Sequence, residues 1–383
     1  MLVMGVTFFV VLHDLKMTDA HCPAKCEQIR GRFDETGMSN RALVEHSFEN
    51  FTVENMFQCL DRCLDEKCKC QAYQMKGNRC ELLDEDRFSS PGDLVEEEGY
   101  TYFDMIMEYA KSTDNTCANQ PCSNNCCVQN LCFNGGTCTE LCDHPKRKFN
   151  CTCAKEYSGK FCEKKIPTSC NQLQLESKKP MQSAVYTLLN STDKSLYQTF
   201  CDFTSEKGFV WTLVESFSLA NKNDFKVKQF YKDYPVNQNS FSWDKFRLSK
   251  AIMSSALAHS THVRATCNFN IDGLKTTDYL RARMIDANVL LLNGQACKKF
   301  EYVNIRGYDC HNCTVWFTQT ESWHAHVDSY YTPNPPCQFT DARNGSVPIP
   351  AGEDNFGFYA TVNPLHRCSS TNNSTTQWWF GVQ

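Results

Sequence analysis

Twenty-five cysteines in 383 residues constrain this chain more than any other feature it has. That density belongs to chains that fold in an oxidising compartment, where disulfides stand in for the cores that small modules lack. The cysteines are unevenly spread, with seven between Cys22 and Cys80, ten between Cys117 and Cys162, and eight between Cys170 and Cys368. The middle block holds its ten within 46 residues. A block that small buries too little apolar surface to fold alone, so each bridge must supply about 2–4 kcal/mol. The 221 residues after it are poorer in cysteine and rich in Trp, Phe and Tyr, enough for a true core. At roughly 150 residues per domain the length predicts two or three domains. With 41% apolar and 22% charged residues the composition is globular. A net charge of −5 excludes the basic footprint of a nucleic-acid binder and is too mild for a polyacidic, solvating chain.

Residues 2–12 (LVMGVTFFVVL) are an 11-residue apolar run, too short to span a bilayer at about 20 residues. Thr18 and Ala20 follow at positions suited to a signal peptidase cutting before His21, so residues 1–20 are expected to be a signal peptide. The positive charge before the run is the α-amine alone, and a buried strand is the alternative. No other run is long enough for a membrane span, and the segment 377–383 is no lipid-anchor tail. Sequons for N-glycosylation begin at Asn50, Asn150, Asn190, Asn312, Asn344, Asn372 and Asn373. Asn150 and Asn312 have cysteine in the middle position, which makes them poorer acceptors. Asn372 and Asn373 overlap, so one of the two is used at most.

Residues 52–64 (TVENMFQCLDRCL) predict a helix, because Val53, Met56, Phe57, Leu60 and Leu64 share a face and Thr52 can cap the start. Cys59 and Cys63, one turn apart, point to one side. Cys59-x3-Cys63, Cys70-Gln-Ala-Tyr73 and Cys80-Glu-Leu, followed by a closing strand through Tyr100-x-Tyr102, resemble a PAN/apple domain over residues 21–110. The resemblance implies an α+β fold with a helix pinned to a curved sheet by Cys59–Cys80 and Cys63–Cys70. It also implies recognition of proteins or carbohydrates without catalytic residues. Cys22, Cys26 and Cys68 stay unassigned. Metal ligation by Cys68-x-Cys70 runs against the oxidising compartment. Residues 81–98 carry eight acidic residues against one Arg, read as a solvated face, with a calcium or partner surface as the minor alternative.

Further on stands Cys127-x4-Cys132-x5-Cys138-x12-Cys151-x-Cys153-x8-Cys162, with Asn134-Gly-Gly-Thr-Cys138 and Tyr157-x-Gly159-x-x-Cys162 inside it. The glycines supply the positive-φ turns that a tiny β scaffold of two hairpins needs. Residues 117–163 thus resemble an EGF-like domain, which implies Cys127–Cys138, Cys132–Cys151 and Cys153–Cys162. Taking Cys127 rather than Cys126 as the first cysteine is a judgement of spacing, and Cys117, Cys122, Cys126 and Cys142 are extra. Calcium-binding members of that family carry acidic residues before the first cysteine, whereas Ser123-Asn124-Asn125 stands here, so no calcium is expected. His144 occupies the position hydroxylated in such members. A spacer is the favoured role of this module over a ligand site.

From Cys170 the chain reads Ser169-Cys-Asn-Gln-Leu, then Phe200-Cys201-Asp202-Phe203, then Gly208-Phe-Val-Trp211-Thr-Leu-Val214. This start resembles fibrinogen C-terminal and intelectin-like domains and assigns residues 168–383 to a β-rich α+β domain of that kind, with Cys170–Cys201 bridged and Trp211 in the core. The likeness fades after Val214. A helix is predicted over 249–259 and strands around 263–269, 288–292 and 315–318. Gly352-Glu353-Asp354-Asn355 is the stretch closest to that family's calcium loop. It offers fewer oxygens than calcium requires, and a plain turn is favoured. Trp323, His324, His326, Tyr330 and Tyr331 form an aromatic–imidazole cluster that is either a packed core edge, which is favoured, or a sugar-stacking surface. Cys310-His-Asn-Cys313 has redox spacing, but the strand-like run after it argues for a structural bridge over redox chemistry or zinc.

Asp19-Ala-His21-Cys22 echoes a protease histidine motif at the expected cleavage point, but no nucleophile motif accompanies it. No zinc-protease motif, phosphate loop or carboxylate pair appears. The chain is therefore expected to be no enzyme, with no cofactor, no metal, no nucleic-acid partner and no membrane span. The order signal, PAN, EGF-like, fibrinogen-like resembles secreted cnidarian adhesion and matrix proteins, including those of coral skeletal organic matrix. That resemblance implies an extracellular-matrix glycoprotein that recognises proteins or glycans, beside mineral in a biomineralisation setting. The alternative is a soluble fibrinogen-like or intelectin-like lectin of innate recognition. An odd number of cysteines forbids complete internal pairing. A disulfide-linked oligomer through Cys22, Cys26, Cys68, Cys117, Cys122, Cys126 or Cys142 is expected, with a buried free thiol as the alternative.

Overall fold

The computed structural model describes residues 29–33, 37–109, 124–141, 146–177, 180–347 and 352–383. The expected signal peptide, Cys22, Cys26, Cys117, Cys122, Cys142 and His144 lie outside these residues. The chain divides into two compact units, residues 1–164 and 165–383. It is a disulfide-rich protein of several domains, mostly β with few helices.

Unit one begins with β1 (Ile29–Phe33), β2 (Met38–Leu43), β3 (Ser47–Thr52), α1 (Met56–Asp65), β4 (Ala72–Lys76), β5 (Arg79–Leu83) and β6 (Leu94–Tyr109). The antiparallel order is β1-β6-β4-β5-β3, with β2 also on β6. The 16-residue β6 pairs β2 with its first part and β1 with its last. The helix starts four residues later than the sequence suggests. Thr52 is still in β3, and Asn55 is the cap, its carboxamide oxygen accepting the amides of Phe57 and Gln58. Phe57, expected on the buried face, is 56% exposed. Cys59, Leu60 and Cys63 are the helix residues that bury, against Tyr73, Leu82 and Phe103. The Tyr73 and Phe103 rings stack at 4.8 Å.

The cysteine-dense part of unit one is two small hairpins, β7 (Thr137–Glu140) with β8 (Phe149–Thr152) and β9 (Tyr157–Ser158) with β10 (Lys164–Lys165). Its buried apolar residues are few, Cys126, Phe149 and Phe161 among them, so the bridges carry the fold. Gly136 is required by a close approach, since a Cβ there would lie 2.8 Å from the Cys162 sulfur. Removing the Cys153–Cys162 bridge by a double alanine substitution is expected to unfold this segment, at a cost of about 2–4 kcal/mol. Limited proteolysis would then cut within 124–164 while the other parts resist. An uncut segment would refute the assignment of its stability to bridges.

Unit two contains α2 (Cys170–Glu176), β11 (Ala184–Leu189), β12 (Leu196–Asp202), β13 (Val210–Ser218), α3 (Lys222–Phe225), β14 (Lys245–Arg247), α4 (Lys250–Leu257), β15 (His262–Cys267), α5 (Phe269–Asp272), β16 (Tyr279–Arg283), β17 (Gly294–Ile305), β18 (Tyr308–Thr320), β19 (Trp323–Asp328), β20 (Asp354–Asn355) and β21 (Thr375–Val382). They form one 11-stranded sheet, β11-β12-β13-β21-β15-β16-β17-β18-β19-β20, with β14 on β13. Ser169 and Ser249 cap α2 and α4 through their hydroxyls. The strand expected at 288–292 is a turn instead, because the Asn288 carbonyl takes the amides of Leu291 and Leu292 and its side chain takes that of Leu290. Val289 and Leu290 bury while Leu291 is 77% exposed. The apolar run is thus a plug rather than a ladder rung. Trp211, Trp378 and Trp379 lie wholly in the core.

Candidate functional site

Six pairs of cysteines singled out in the sequence are bridged in the structure, namely Cys59–Cys80, Cys63–Cys70, Cys127–Cys138, Cys132–Cys151, Cys153–Cys162 and Cys170–Cys201. Four further bridges join Cys68–Cys126, Cys267–Cys368, Cys297–Cys337 and Cys310–Cys313. Neither Cys68-x-Cys70 nor Cys310-x2-Cys313 therefore has thiolates to give a metal. His366 lies near the sulfurs of Cys267 and Cys368, but those two are bridged as well. Cys68 and Cys126 leave the set of spare thiols. All 20 described cysteines pair with one another, so the odd one is among Cys22, Cys26, Cys117, Cys122 and Cys142. Non-reducing electrophoresis of thiol-blocked protein is expected to show a covalent dimer that cysteine substitution at one of these five abolishes. A monomer with one blockable thiol would refute it.

The Cys68–Cys126 bridge ties the helix-on-sheet part of unit one to its hairpin part. Between them lies a cleft of about 660 Å³, bounded by Glu85, Asp86 and Phe88 on one side and by Lys146, Asn150 and Lys160 on the other. Two ion pairs span its walls. Lys146 bonds Asp86, and Lys160 bonds Glu85 at 2.8 Å and also the Asp84 carbonyl. Burial pushes the Asp86 carboxyl up, but Lys146 and the Ser89 amide and hydroxyl outweigh it and hold Asp86 below the usual carboxylate range. Beside the cleft, Lys148 is 2% exposed and donates to the Lys67 carbonyl just past α1. Burial, helped by Lys67, lowers it to about 8. A base lowered in the folded state keeps its full cost below that value. The cost fades as pH rises from about 8 to the unfolded pKa of about 10.4. Wild type is expected to gain thermal stability over Lys148→Met across that window, and parallel curves would refute it.

In unit two the aromatic–imidazole cluster is split. His324 is fully buried, its Nε2 2.6 Å from Glu215. His326 lies under the surface, with Nδ1 donating to the His324 carbonyl at 2.6 Å and Nε2 3.3 Å from Asp354. Trp323, 36% exposed, and Phe358 lie over it, at 6.4 and 5.5 Å between ring centres. Tyr331 instead packs against Trp316, the rings tilted by 41° with centres 5.2 Å apart. Beyond His326, Asp328 pairs with Asp354 across β19–β20 and accepts the amides of Tyr330 and Tyr331. Burial, with Asp354 adding to it, raises the Asp328 carboxyl above its ordinary value. In the stretch 352–355, Glu353 is consumed by Arg306, Asn355 and Asn363. Asp354 Oδ2 and Asn355 Oδ1 are buried without a protein partner. What emerges is an exposed aromatic ledge above a buried carboxylate.

Of the sequon asparagines, Asn50, Asn150, Asn312, Asn344, Asn372 and Asn373 are exposed. Asn190 is the correction. It is 3% exposed and its side-chain oxygen accepts the Thr192 amide, so a glycan has no room there. Sequence reading also missed the buried Arg247–Glu215–His324 group. These residues are far apart in the chain and carry no local motif.

Among the described residues no helix is long and apolar enough to cross a membrane. No curated protein and no solved structure matches the chain. The family model described as PAN domain matches residues 34–107, which hold α1, β2 to β5, most of β6 and both bridges that pin the helix. The helix-on-sheet part of unit one is a PAN domain, a module of protein and carbohydrate recognition, within a disulfide-rich chain that fits an oxidising compartment.

Proposed function

We propose that this chain is an exported, non-enzymatic glycoprotein that acts by recognition of proteins or glycans in the extracellular matrix. The PAN domain at 34–107 carries the reading. In this reading residues 1–20 are the signal peptide, 21–110 the full PAN module, 117–163 an EGF-like spacer and 168–383 a fibrinogen C-terminal-like domain. The three bridges of the hairpin part and the Cys170–Cys201 bridge support the last two assignments. A covalent oligomer through the odd cysteine, embedded beside mineral, is its most specific form. The test is co-precipitation of the purified mature protein from native matrix. Enrichment of matrix proteins or glycans supports the reading, and recovery of the protein alone, with an intact Met1, overturns it.

The rival reading is a soluble lectin. The ledge of Trp323 and Phe358 above Asp354, whose second carboxylate oxygen is unpartnered, favours it. Glycan-array binding by the full chain that Trp323→Ala abolishes would make the lectin the better description.

A further inference from the structure

The cleft in unit one has a sequon asparagine on its wall. Asn150 lies on β8, is exposed, and lines the same cavity as Phe88, Phe149 and Lys160. Its Oδ1 faces Arg147 Nη2 at 3.4 Å. Nδ2, the atom that carries an N-linked sugar, has no hydrogen-bond partner among the described residues. Thr152, which completes the sequon, is exposed too. We propose that the cleft between the PAN domain and the hairpin segment is a saccharide-binding site whose occupant is the chain's own glycan on Asn150.

Three observations favour that occupant. First, the volume of about 660 Å³ falls inside the range of about 300–1,000 Å³ that small ligands use, and the tether to Asn150 makes occupancy an intramolecular event of high effective concentration. Second, two of the three basic side chains on the walls are paired with a carboxylate, Lys146 with Asp86 and Lys160 with Glu85, and the third, Arg147, donates to the Asn150 carboxamide oxygen. A neutral sugar, with hydroxyls that both donate and accept, can join such paired groups without breaking them. Third, Phe88 is 71% exposed at the rim, with Arg87 at 4.7 Å and Lys146 at 5.8 Å from its ring centre. A flat, exposed phenyl held in place by two cations is a platform for a pyranose face. The glycan would bridge the two parts of unit one.

The inference rests on the export reading, since N-glycans are added in the secretory route. The test is site-resolved mass spectrometry of full-length protein from a glycosylating host, before and after peptide-N-glycosidase treatment of native and denatured samples. The expected result is an occupied Asn150 whose glycan is released from native protein at least about tenfold more slowly than that of Asn344, a protection lost on denaturation. Phe88→Ala should leave occupancy intact and restore fast release. Asn150 bare while Asn50 and Asn344 are occupied overturns this inference and leaves export standing. Equal native release rates, or slow release that survives Phe88→Ala, overturn it also. No glycan at any sequon overturns both readings.

Discussion

Glu215→Ala should cost unit two about 3–5 kcal/mol, more than most single substitutions in a protein of this size. Glu215 lies on β13 with no exposure, and Arg247 on β14 is equally buried, their Oε2 and Nη1 2.7 Å apart. Loss of the carboxylate leaves a guanidinium in the core with carbonyl partners alone, those of Lys228, Gln229 and Lys232. It also strips His324 of the partner of its Nε2, while its Nδ1 already has none. A charge stranded this way costs far more than the pair contributes when intact. Glu215→Gln, which keeps shape and loses charge, should recover a part of the stability, and the double variant Glu215→Met with Arg247→Met should be more stable than Glu215→Ala. Chemical denaturation of the full chain, followed by Trp fluorescence, reads all three. A loss below about 1 kcal/mol in Glu215→Ala would refute the role given to the pair.

The second large effect is expected at Gly381. In the β13–β21 ladder it stands directly opposite Trp211, and the indole folds over its Cα. A Cβ at 381 would lie 2.3 Å from Trp211 Cε3. The indole cannot move aside, because Arg264 stacks on it at 4.4 Å and Phe209 at 5.1 Å. Gly381→Val should therefore cost at least about 3 kcal/mol, the upper end for overpacking. Trp211→Ala should cost about 3–5 kcal/mol by the opposite route, a cavity. The double variant should cost less than the sum, since the valine fills part of the space the indole leaves. Strict additivity would show that the two residues do not share this space.

The sequence made some of this legible for identifiable reasons. Bridges within one small module were implied by the family resemblances, whose motifs survive in a linear reading because the partners are at most 31 residues apart. Cys267–Cys368 spans 101 residues with nothing local to mark it. Cys68–Cys126 joins two modules whose patterns leave three and four cysteines over, so which of them pair shows only in three dimensions. The error at 288–292 came from reading an apolar run as a strand when Asn288 caps a turn there. The aromatic–imidazole cluster was visible as composition, but β19 is buried from His324 to Val327 on both faces, with His324 against Glu215, and only its first residue, Trp323, is exposed. What the site presents to solvent was decided by where β19 enters the core and by which carboxylate lay across the sheet.

The place of β21 has a consequence for biosynthesis. It lies between β13 and β15, in the middle of the 11-stranded sheet, and is made of residues 375–382. A ribosome delivers β13 some 160 residues before the strand that must pair with it. Until then Trp211 and its neighbours face an open ladder edge, and the strands on either side have no shared hydrogen-bonded partner. Unit two thus cannot close as it emerges. It must wait for residues 375–382 to insert like a keystone. A translation stall or stop just before residue 375 would leave two open half-sheets rather than a slightly shorter protein.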